Sequence, residues 1–572
     1  MFDFEKITQA QWEAQILKDL KGKPLETLHW KVEDLSVSAL ATAESWKAEN
    51  VVNAMRRGNI FNFMDKGDWQ IVQHIETQNL AHAASLAQLS LKQGVQALLF
   101  SLDKEENKLE KLLATYDLQG KALHLASSSA NISKIYTTLK SLVQEHQTDF
   151  QHLTGTYNLS LSAIHAAHKA NFLTEEANVL AQKESPYFRV LGIDVREISQ
   201  KGATLSQQLA ASIGILVEYI ECLKNQGISI EIIAQSIAFY LPISAAFFPE
   251  IAKLRALRIL VARVFEIYGL TDENLASPYL LSETSTWNKP VYDAYNNLLR
   301  TTTEAMSAVM GGTNALIVRG YDASFQTEDA FSARLATNIQ HLLKQESYLD
   351  KVSDAVGGAY YVEQLTDTLA QKAWAIFQTM ESKGGYFEAN TWFEGEMQAA
   401  YQKQQTALAK RKAVVVGVNQ YPNTQEVHAD VSFEKLRMTS EFEALRQTID
   451  KKAAQTGERP SAILFQFGEV GMRNARALFA RNVLGCLGLE IQEYVISGEI
   501  SFEKEPSFIV FCGADADYFA EGKLHIEKIR QQYPQKYLIL AGKPENWESL
   551  GVNSCLFAGM NVLEYLQNIA NL

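Results

Sequence analysis

Short apolar runs alternate with amphipathic stretches along residues 70–345, and this alternation constrains the fold more than any other feature of the chain. The runs are Gln70–Ile75, Ala97–Leu102, Ala122–Ser127, Leu153–Asn158, Phe188–Val195, Ile237–Ile243, Tyr279–Ser285 and Ala315–Arg319. Amphipathic segments such as Leu80–Gly94, Ser133–Glu145, Thr204–Asn225 and Pro249–Gly269 separate them. The last repeat shows the punctuation best. A helical pattern runs from Tyr295 to Met310, Gly311-Gly312 stops it, Ala315–Arg319 reads as a buried strand, and a helix follows from about Glu328 to Gln345. Strand–helix repeats of this kind build a parallel sheet. Eight of them are the count of a TIM (β/α)8 barrel. A doubly wound open sheet is the competing arrangement.

A second α/β pattern starts at Pro460. Its strands are Ala462–Phe467, Ile491–Ile496, Phe508–Cys512, Tyr537–Ala541 and Ser554–Ala558, with helices over Met472–Leu487, Gly522–Tyr533 and Asn561–Ile569. Five short strands with crossover helices indicate a flavodoxin-like doubly wound domain. The fold class is therefore α/β, with a barrel over 51–375 and a doubly wound domain over 459–572. Residues 1–50 read as an arm, with a helix over Thr8–Asp19, strand pieces near Leu28–Trp30 and Leu35–Val37, and Trp12 and Trp30 as apolar anchors. Residues 376–458 read as a helical linker with a short strand at Ala413–Val418 and a helix from Glu434 to Lys452.

Composition narrows the partners. A chain of 572 residues exceeds one core and fits two or three domains. A net charge of −13 argues against nucleic-acid or anionic-membrane partners, which select basic patches. Cys222, Cys486, Cys512 and Cys555 are scattered, read as small buried hydrophobes, and imply a reducing compartment. The first residues, MFDFEKITQAQWEAQ, do not read as a signal segment, and no run reaches the ~18 apolar residues of a membrane span. A cytoplasmic location is expected.

Residues 295–375 carry a family resemblance. Tyr295, Asn296, Asn297, Arg300, Thr301, Glu304, Ala305, Met306, Gly311, Gly312, Thr313 and Asp322 fall in one ordered pattern. Phe331 to Arg334, Asn338, Gln340, Asp354, Gly357, Gly358, Tyr360, Glu363, Leu365, Thr366 and Leu369 to Trp374 continue it. The stretch resembles the last barrel repeat of the methylmalonyl-CoA mutases. Barrel followed by flavodoxin-like domain is also the layout of cobalamin-dependent acyl-CoA mutases, so the second domain resembles a cobalamin-binding domain.

The resemblance implies chemistry that the residues do not carry. Family members that bind adenosylcobalamin ligate cobalt through the histidine of a D-x-H-x-x-G loop. The corresponding loop, FGEVGMRNAR, places Gly471, Arg473 and Arg476 at those positions, and arginine offers cobalt no lone pair. His525, the one histidine beyond residue 428, reads as a solvated helix-terminal residue far from that loop. In catalytic members a histidine after the fifth strand contacts the thioester carbonyl; here Glu197 stands there, and a carboxylate would repel developing negative charge. Thr284 to Trp287 echo the seventh-strand pattern without its arginine, histidine and glutamine. Trp69 survives from the segment that should carry the catalytic tyrosine and arginine.

Other residues are read plainly. His74, His124 and Tyr240 are candidates for the barrel's active-site face, with polar caps on packed strands as the alternative. Arg255 and Arg258 could bind a phosphate or form a solvated helix face. Asp103–Glu106 and Glu175-Glu176 read as solvated faces. Large side chains at Leu98, Phe100, Leu123, Tyr157, Phe239 and Tyr240 suggest a bore too full for pantetheine.

No residue is thus assigned as catalytic, cofactor-binding or metal-binding. The resemblance implies the small, non-catalytic subunit of a 1:1 heterodimeric mutase. The large subunit would hold adenosylcobalamin and interconvert methylmalonyl-CoA and succinyl-CoA, while this chain binds no cofactor. The alternatives are a self-sufficient cobalamin-dependent acyl-CoA mutase and a nucleotide-binding module using the flavodoxin-like domain.

Overall fold

The computed structural model describes residues 7–38, 40–42, 67–102, 111–113, 121–128, 132–145, 149–168, 173–182, 185–272, 275–429, 431, 436–496 and 505–571. It divides into two compact units. The first spans Met1–Trp287, Leu298–Ala323 and Thr327–Tyr401, and the second spans Asn288–Asn297, Ser324–Gln326 and Gln402–Leu572. The expected boundary at residue 51 and the acidic run Asp103–Glu106 lie outside the described residues. The linker stretch 376–458 is shared between the units and carries helices Asn390–Ala409 and Ser440–Thr456.

The first unit opens with an arm. Helix Gln9–Asp19 is capped by Thr8, and strands β1 (Trp30–Val32) and β2 (Leu35–Val37) form an antiparallel hairpin. The barrel strands are β3 (Gln70–Glu76), β4 (Ala97–Leu102), β5 (Ala122–Ser127), β6 (Thr154–Leu159), β7 (Phe188–Asp194), β8 (Ile237–Ile243), β9 (Tyr279–Thr284) and β10 (Ala315–Ile317). They close in the order β10-β3-β4-β5-β6-β7-β8-β9, every pair parallel. The eight-stranded barrel is what the spacing predicts, and the open sheet is excluded.

Alternation sorts each strand's residues between two cores. Val72, Ala97, Leu99, Ala122, Ala126, Tyr240, Leu281, Ala315 and Ile317 form a cluster of their own inside the barrel. Leu98, Phe100, Leu123, Tyr157 and Phe239 belong instead to the large cluster shared with the surrounding helices. Of the six large strand side chains, some of them expected to face inward, Tyr240 lies in the bore cluster and the other five do not. The bore is nonetheless packed: Leu99, Tyr240, Leu281 and Ile317 are fully buried.

Two glycines show why the backbone runs as it does. Gly312, at φ +82°, ends helix Asn296–Met310, with Gly312 N donating to Val309 O and Thr313 N to Ala308 O. Gly155, at φ +141° in β6, packs so tightly on β5 that a Cβ would sit 1.7 Å from the Leu123 carbonyl oxygen.

Two buried arginines tie the barrel together. Arg255 Nη2 donates to Asp354 (3.1 Å) and Glu363 (2.8 Å), joining helix Phe247–Ile267 to helix Tyr360–Ser382. Arg258 donates to the Gly312 carbonyl (2.6 Å), Asn314 Oδ1 (3.1 Å), the Pro278 carbonyl (3.0 Å) and Ser277 Oγ (2.9 Å). Neither is a solvated helix face nor a phosphate ligand, because burial has already committed both guanidiniums to internal partners. Glu176 is likewise buried rather than solvated, and burial pushes its carboxyl up to about 7, whereas Glu175 stays exposed.

In the second unit the strands are β11 (Ser461–Gln466), β12 (Glu490–Val495), β13 (Phe508–Cys512), β14 (Tyr537–Ala541) and β15 (Ser554–Leu556). Their order is β12-β11-β13-β14-β15, all parallel, with apolar clusters on both faces. This is the doubly wound order with a switch point between β11 and β13. The strand expected at Ala413–Val418 is a loop. Asn419 organises it, accepting from Val415 N (2.7 Å) and donating to the Leu408 (3.2 Å) and Ala413 (2.9 Å) carbonyls, so the side chain takes bonds that a ladder would need. Cys486, Cys512 and Cys555 are buried, Cys222 is half-buried, and all four are free.

Candidate functional site

The active-site face of a TIM barrel is the C-terminal end of its strands. Here the strand ends supply a network of opposed charges. Asp194 closes β7, Glu283 lies near the end of β9, and Arg319 follows β10 by two residues. Arg196 folds back over the mouth, donating to Asp194 Oδ2 (2.7 Å) and Glu283 Oε2 (3.1 Å), with its guanidinium carbon 3.8 Å above the Tyr240 ring. Arg319 donates to Glu283 Oε1 (3.1 Å), Glu328 Oε1 (2.9 Å) and Glu76 Oε1 (3.4 Å). The Tyr240 hydroxyl donates to Glu283 Oε2.

The electrostatics match this geometry. Burial alone would raise the Glu283 carboxyl, but the Arg196 and Arg319 guanidiniums outweigh it and hold the group down at about 2. Burial opposes the charge on Arg319, yet Glu328 and Glu283 reverse the effect and raise its pKa. Burial, above all, raises Tyr240 well beyond the ordinary phenol. Glu283, Tyr240 and Arg319 therefore keep fixed protonation states near neutrality and are poor general acids or bases. The guanidiniums are spent on internal carboxylates rather than aimed at a substrate anion.

The sequence candidates separate here. Tyr240 joins the network. His74 lies beside it on β3, its Nε2 2.5 Å from Ser101 Oγ, with Glu283 close enough to feel its charge. His124 does not reach this face. It sits in the bore toward the N-terminal end, with Nδ1 2.9 Å from Thr156 Oγ1 and its ring stacked on Tyr279. Glu197 also turns away, accepting from Ser162 N (3.2 Å) and Ser162 Oγ (3.1 Å) at the start of helix Leu161–His168. The residue before it is the one that enters the mouth. Trp69 is packed, donating to Gln340 Oε1 (3.2 Å), and Thr284 Oγ1 accepts from Arg319 N (2.9 Å). Asp194, Arg196, Glu283 and Arg319 were missed as a group. Their signal was available: four charged residues at or just after the ends of predicted strands.

The second unit's own candidate lies at the C-terminal edge of its sheet. After β11 the chain makes only Phe467-Gly468-Glu469 before helix Val470–Gly485 begins. Glu469 caps that helix, accepting from Gly471 N (2.8 Å) and Met472 N (2.7 Å). Gly471, Arg473 and Arg476 are therefore helical, and no ligand loop exists at their positions. Arg476 Nη2 donates to Asp515 Oδ1 (2.9 Å), and its guanidinium lies 2.4 Å from where a Cβ on Gly542 would stand. His525 is not far from this edge: its ring packs 5.7 Å from that of Phe467, because the topology returns helix Lys523–Gln532 beside the β11 loop. Position 473 carries an arginine, which has no lone pair for a metal, so the residues there do not fit cobalt. Glu469, Asp515 and Asp517 share this edge with Arg473 and Arg476, and Arg476 is already bonded to Asp515.

Among the described residues no helix is long and apolar enough to cross a membrane. A family model described as Methylmalonyl-CoA mutase matches residues 122–483. The Methylmalonyl-CoA mutase small subunit of Porphyromonas gingivalis is 29% identical over 99% of this chain and 97% of its own length. The Probable methylmalonyl-CoA mutase small subunit of Mycobacterium bovis is 32% identical, covering 67% of this chain and 64% of itself. The Methylmalonyl-CoA mutase of Rhizobium meliloti is 36% identical over 44% of this chain and 35% of its own length.

Proposed function

The chain belongs to the methylmalonyl-CoA mutase family, and from that premise we propose that it acts as the non-catalytic small subunit of a two-chain mutase. Its partner, a large subunit, binds adenosylcobalamin and interconverts methylmalonyl-CoA and succinyl-CoA in a 1:1 complex. This chain supplies the surface that stabilises that partner and binds no cofactor of its own. One observation carries the reading: the barrel mouth is closed by its own ion pairs, with Arg196 and Arg319 bound to Asp194, Glu283, Glu328 and Glu76. A substrate carboxylate or thioester would have to displace these buried pairs, and stripping partners from buried charges costs about 3–5 kcal/mol. The arginine-bearing helix at Val470–Gly485 supports the same reading from the second unit. The pairing of Arg476 with Asp515 there weighs against a nucleotide-binding role.

The test is co-expression with a candidate large chain, followed by measurement of mass and turnover. The expected result is a 1:1 complex whose turnover survives Glu197→Ala and Arg473→Ala in this chain and is lost when the large chain loses its cobalt-ligating histidine. A cobalt-bound spectrum of the isolated chain after reconstitution would overturn the proposal. So would loss of turnover in Arg473→Ala with assembly intact.

A further inference from the structure

The N-terminal end of the barrel bore carries polar groups that the proposed role does not use. Strands β3, β5, β7 and β9 each contribute one side chain: Gln70, His124, Arg189 and Tyr279. Four side chains from alternate strands make one layer of a TIM barrel, and such layers are dominated by branched aliphatics. This one is polar throughout. Tyr279 Oη (3.3 Å) and His124 Nε2 (3.4 Å) both approach Gln70 Oε1, and the Arg189 guanidinium carbon stands 4.4 Å over the Tyr279 ring.

Arg196, Arg255 and Arg319 all meet carboxylates. Arg258 reaches no carboxylate among the described residues, but two carbonyls, Asn314 Oδ1 and Ser277 Oγ take its donors. Arg189 is the least engaged of these barrel arginines. It too meets no carboxylate among the described residues, and its one hydrogen bond there runs from Nη1 to the Tyr187 carbonyl (3.2 Å). A guanidinium has five N–H donors, so most of them have no protein partner among the described residues. Burial pulls its pKa below the ordinary guanidinium value, with Tyr279 acting weakly the other way. His124 adds no competing charge: burial first, and Arg189 second, push it down to about 3, so the ring is neutral at pH 7. Gln70 Oε1 is engaged by its two neighbours, which leaves the amide NH2 to donate outward. Gln70, Arg189 and Tyr279 keep partial exposure, so solvent reaches the cluster.

We propose that this polar layer binds a small monovalent anion, with Arg189 as its counter-charge and Gln70 as a neutral donor. The charge follows from the inventory. One guanidinium that meets no carboxylate among the described residues is balanced by one negative charge, whereas a dianion would leave a surplus in a partly desolvated site. A halide and a small carboxylate share that chemistry. The site's residues all belong to this chain, and it does not rest on the subunit role proposed above.

The test uses the full chain with bromide and, separately, acetate. A bromide-soaked crystal is expected to show an anomalous peak within hydrogen-bond reach of Arg189. Thermal unfolding at constant ionic strength is expected to rise with bromide, with acetate or with both, which identifies the source of the anion. Arg189→Met should weaken the half-saturating concentration by roughly tenfold or more, the scale of a hydrogen bond to a charged group. Arg189→Lys, which keeps the charge, should retain part of the effect and guards against a folding defect in the methionine variant. The absence of an anomalous peak at Arg189, or equal anion stabilisation of the wild type and Arg189→Met, overturns the proposal.

Discussion

Arg255 shows how one residue can be read two ways from the sequence and only one way once folded. A positive charge one turn before Arg258 suggests a phosphate cradle or a wet helix face, but burial commits both guanidiniums to internal partners. Removing Arg255 strands two buried carboxylates, Asp354 and Glu363, at an expected cost of about 3–5 kcal/mol. Urea unfolding of Arg255→Met should show that loss, and a change under about 1 kcal/mol would contradict the bridging role. His124 gives a pH signature. An unfolded histidine binds a proton below about 6.5, while the folded one, held neutral chiefly by burial, does so only near 3. The unfolded chain therefore binds more protons between these values. The stability that His124 contributes is present above about 6.5 and is lost as pH falls toward 3, by on the order of a few kcal/mol. His124→Gln should flatten unfolding free energy against pH in that window. Parallel curves for variant and wild type would refute this.

At the scale of elements, the arm divides into two parts with different fates. The sequence marks it only by its two apolar anchors, Trp12 and Trp30. The hairpin packs at home: Leu35 and Val37 are buried in the main cluster, and Trp30 stacks on Tyr361 with ring centroids 6.4 Å apart. Its turn docks on helix Leu205–Asn225, where Glu33 accepts from Leu205 N (2.7 Å) and Asp34 from Ser206 Oγ (2.6 Å). Helix Gln9–Asp19, in contrast, buries no residue. Deleting residues 1–20 should therefore leave the stability of the isolated chain within about 0.5 kcal/mol of wild type. Val37→Asp places an unpaired charge in the core and should cost about 2 kcal/mol or more. Equal effects of the two changes in a denaturant titration would show that the helix also packs at home.

At the scale of the whole molecule, each unit carries large apolar side chains at its surface. Leu299, Phe331 and Tyr348 are 69%, 55% and 62% exposed on the first unit, and Tyr421, Leu436 and Val470 are 61%, 56% and 57% exposed on the second. Single exposed apolar residues are ordinary, but an obligate subunit deprived of its partner leaves extended apolar surface in water. On the proposed role, the isolated chain should self-associate at micromolar concentration, and adding the matching large chain should convert that material to a 1:1 complex. Sedimentation velocity checks both. A free chain that stays monomeric with and without every candidate large chain would count against the role.

The sequence by itself determined the order and type of nearly every barrel and doubly wound element. Strand pairing in parallel sheets buries both faces, which leaves continuous apolar runs, and glycine stops such as Gly312 mark the turns between them. It also determined what position 473 cannot do, because an arginine offers no lone pair in any fold. Only the tertiary structure decided which strand residues face the bore, since one residue of register moves a side chain between two equally apolar cores. Hence Tyr240 lies inside while Phe239 packs outward. It alone brought Asp194, Arg196, Glu283 and Arg319 together from three strand ends, and it turned Glu197 away although its neighbour enters the mouth. It also set His525 beside Phe467 across 58 residues of chain. Closing a barrel or winding a sheet makes neighbours of residues with no local relation, so pairing, burial and charge balance become readable only after the chain has folded.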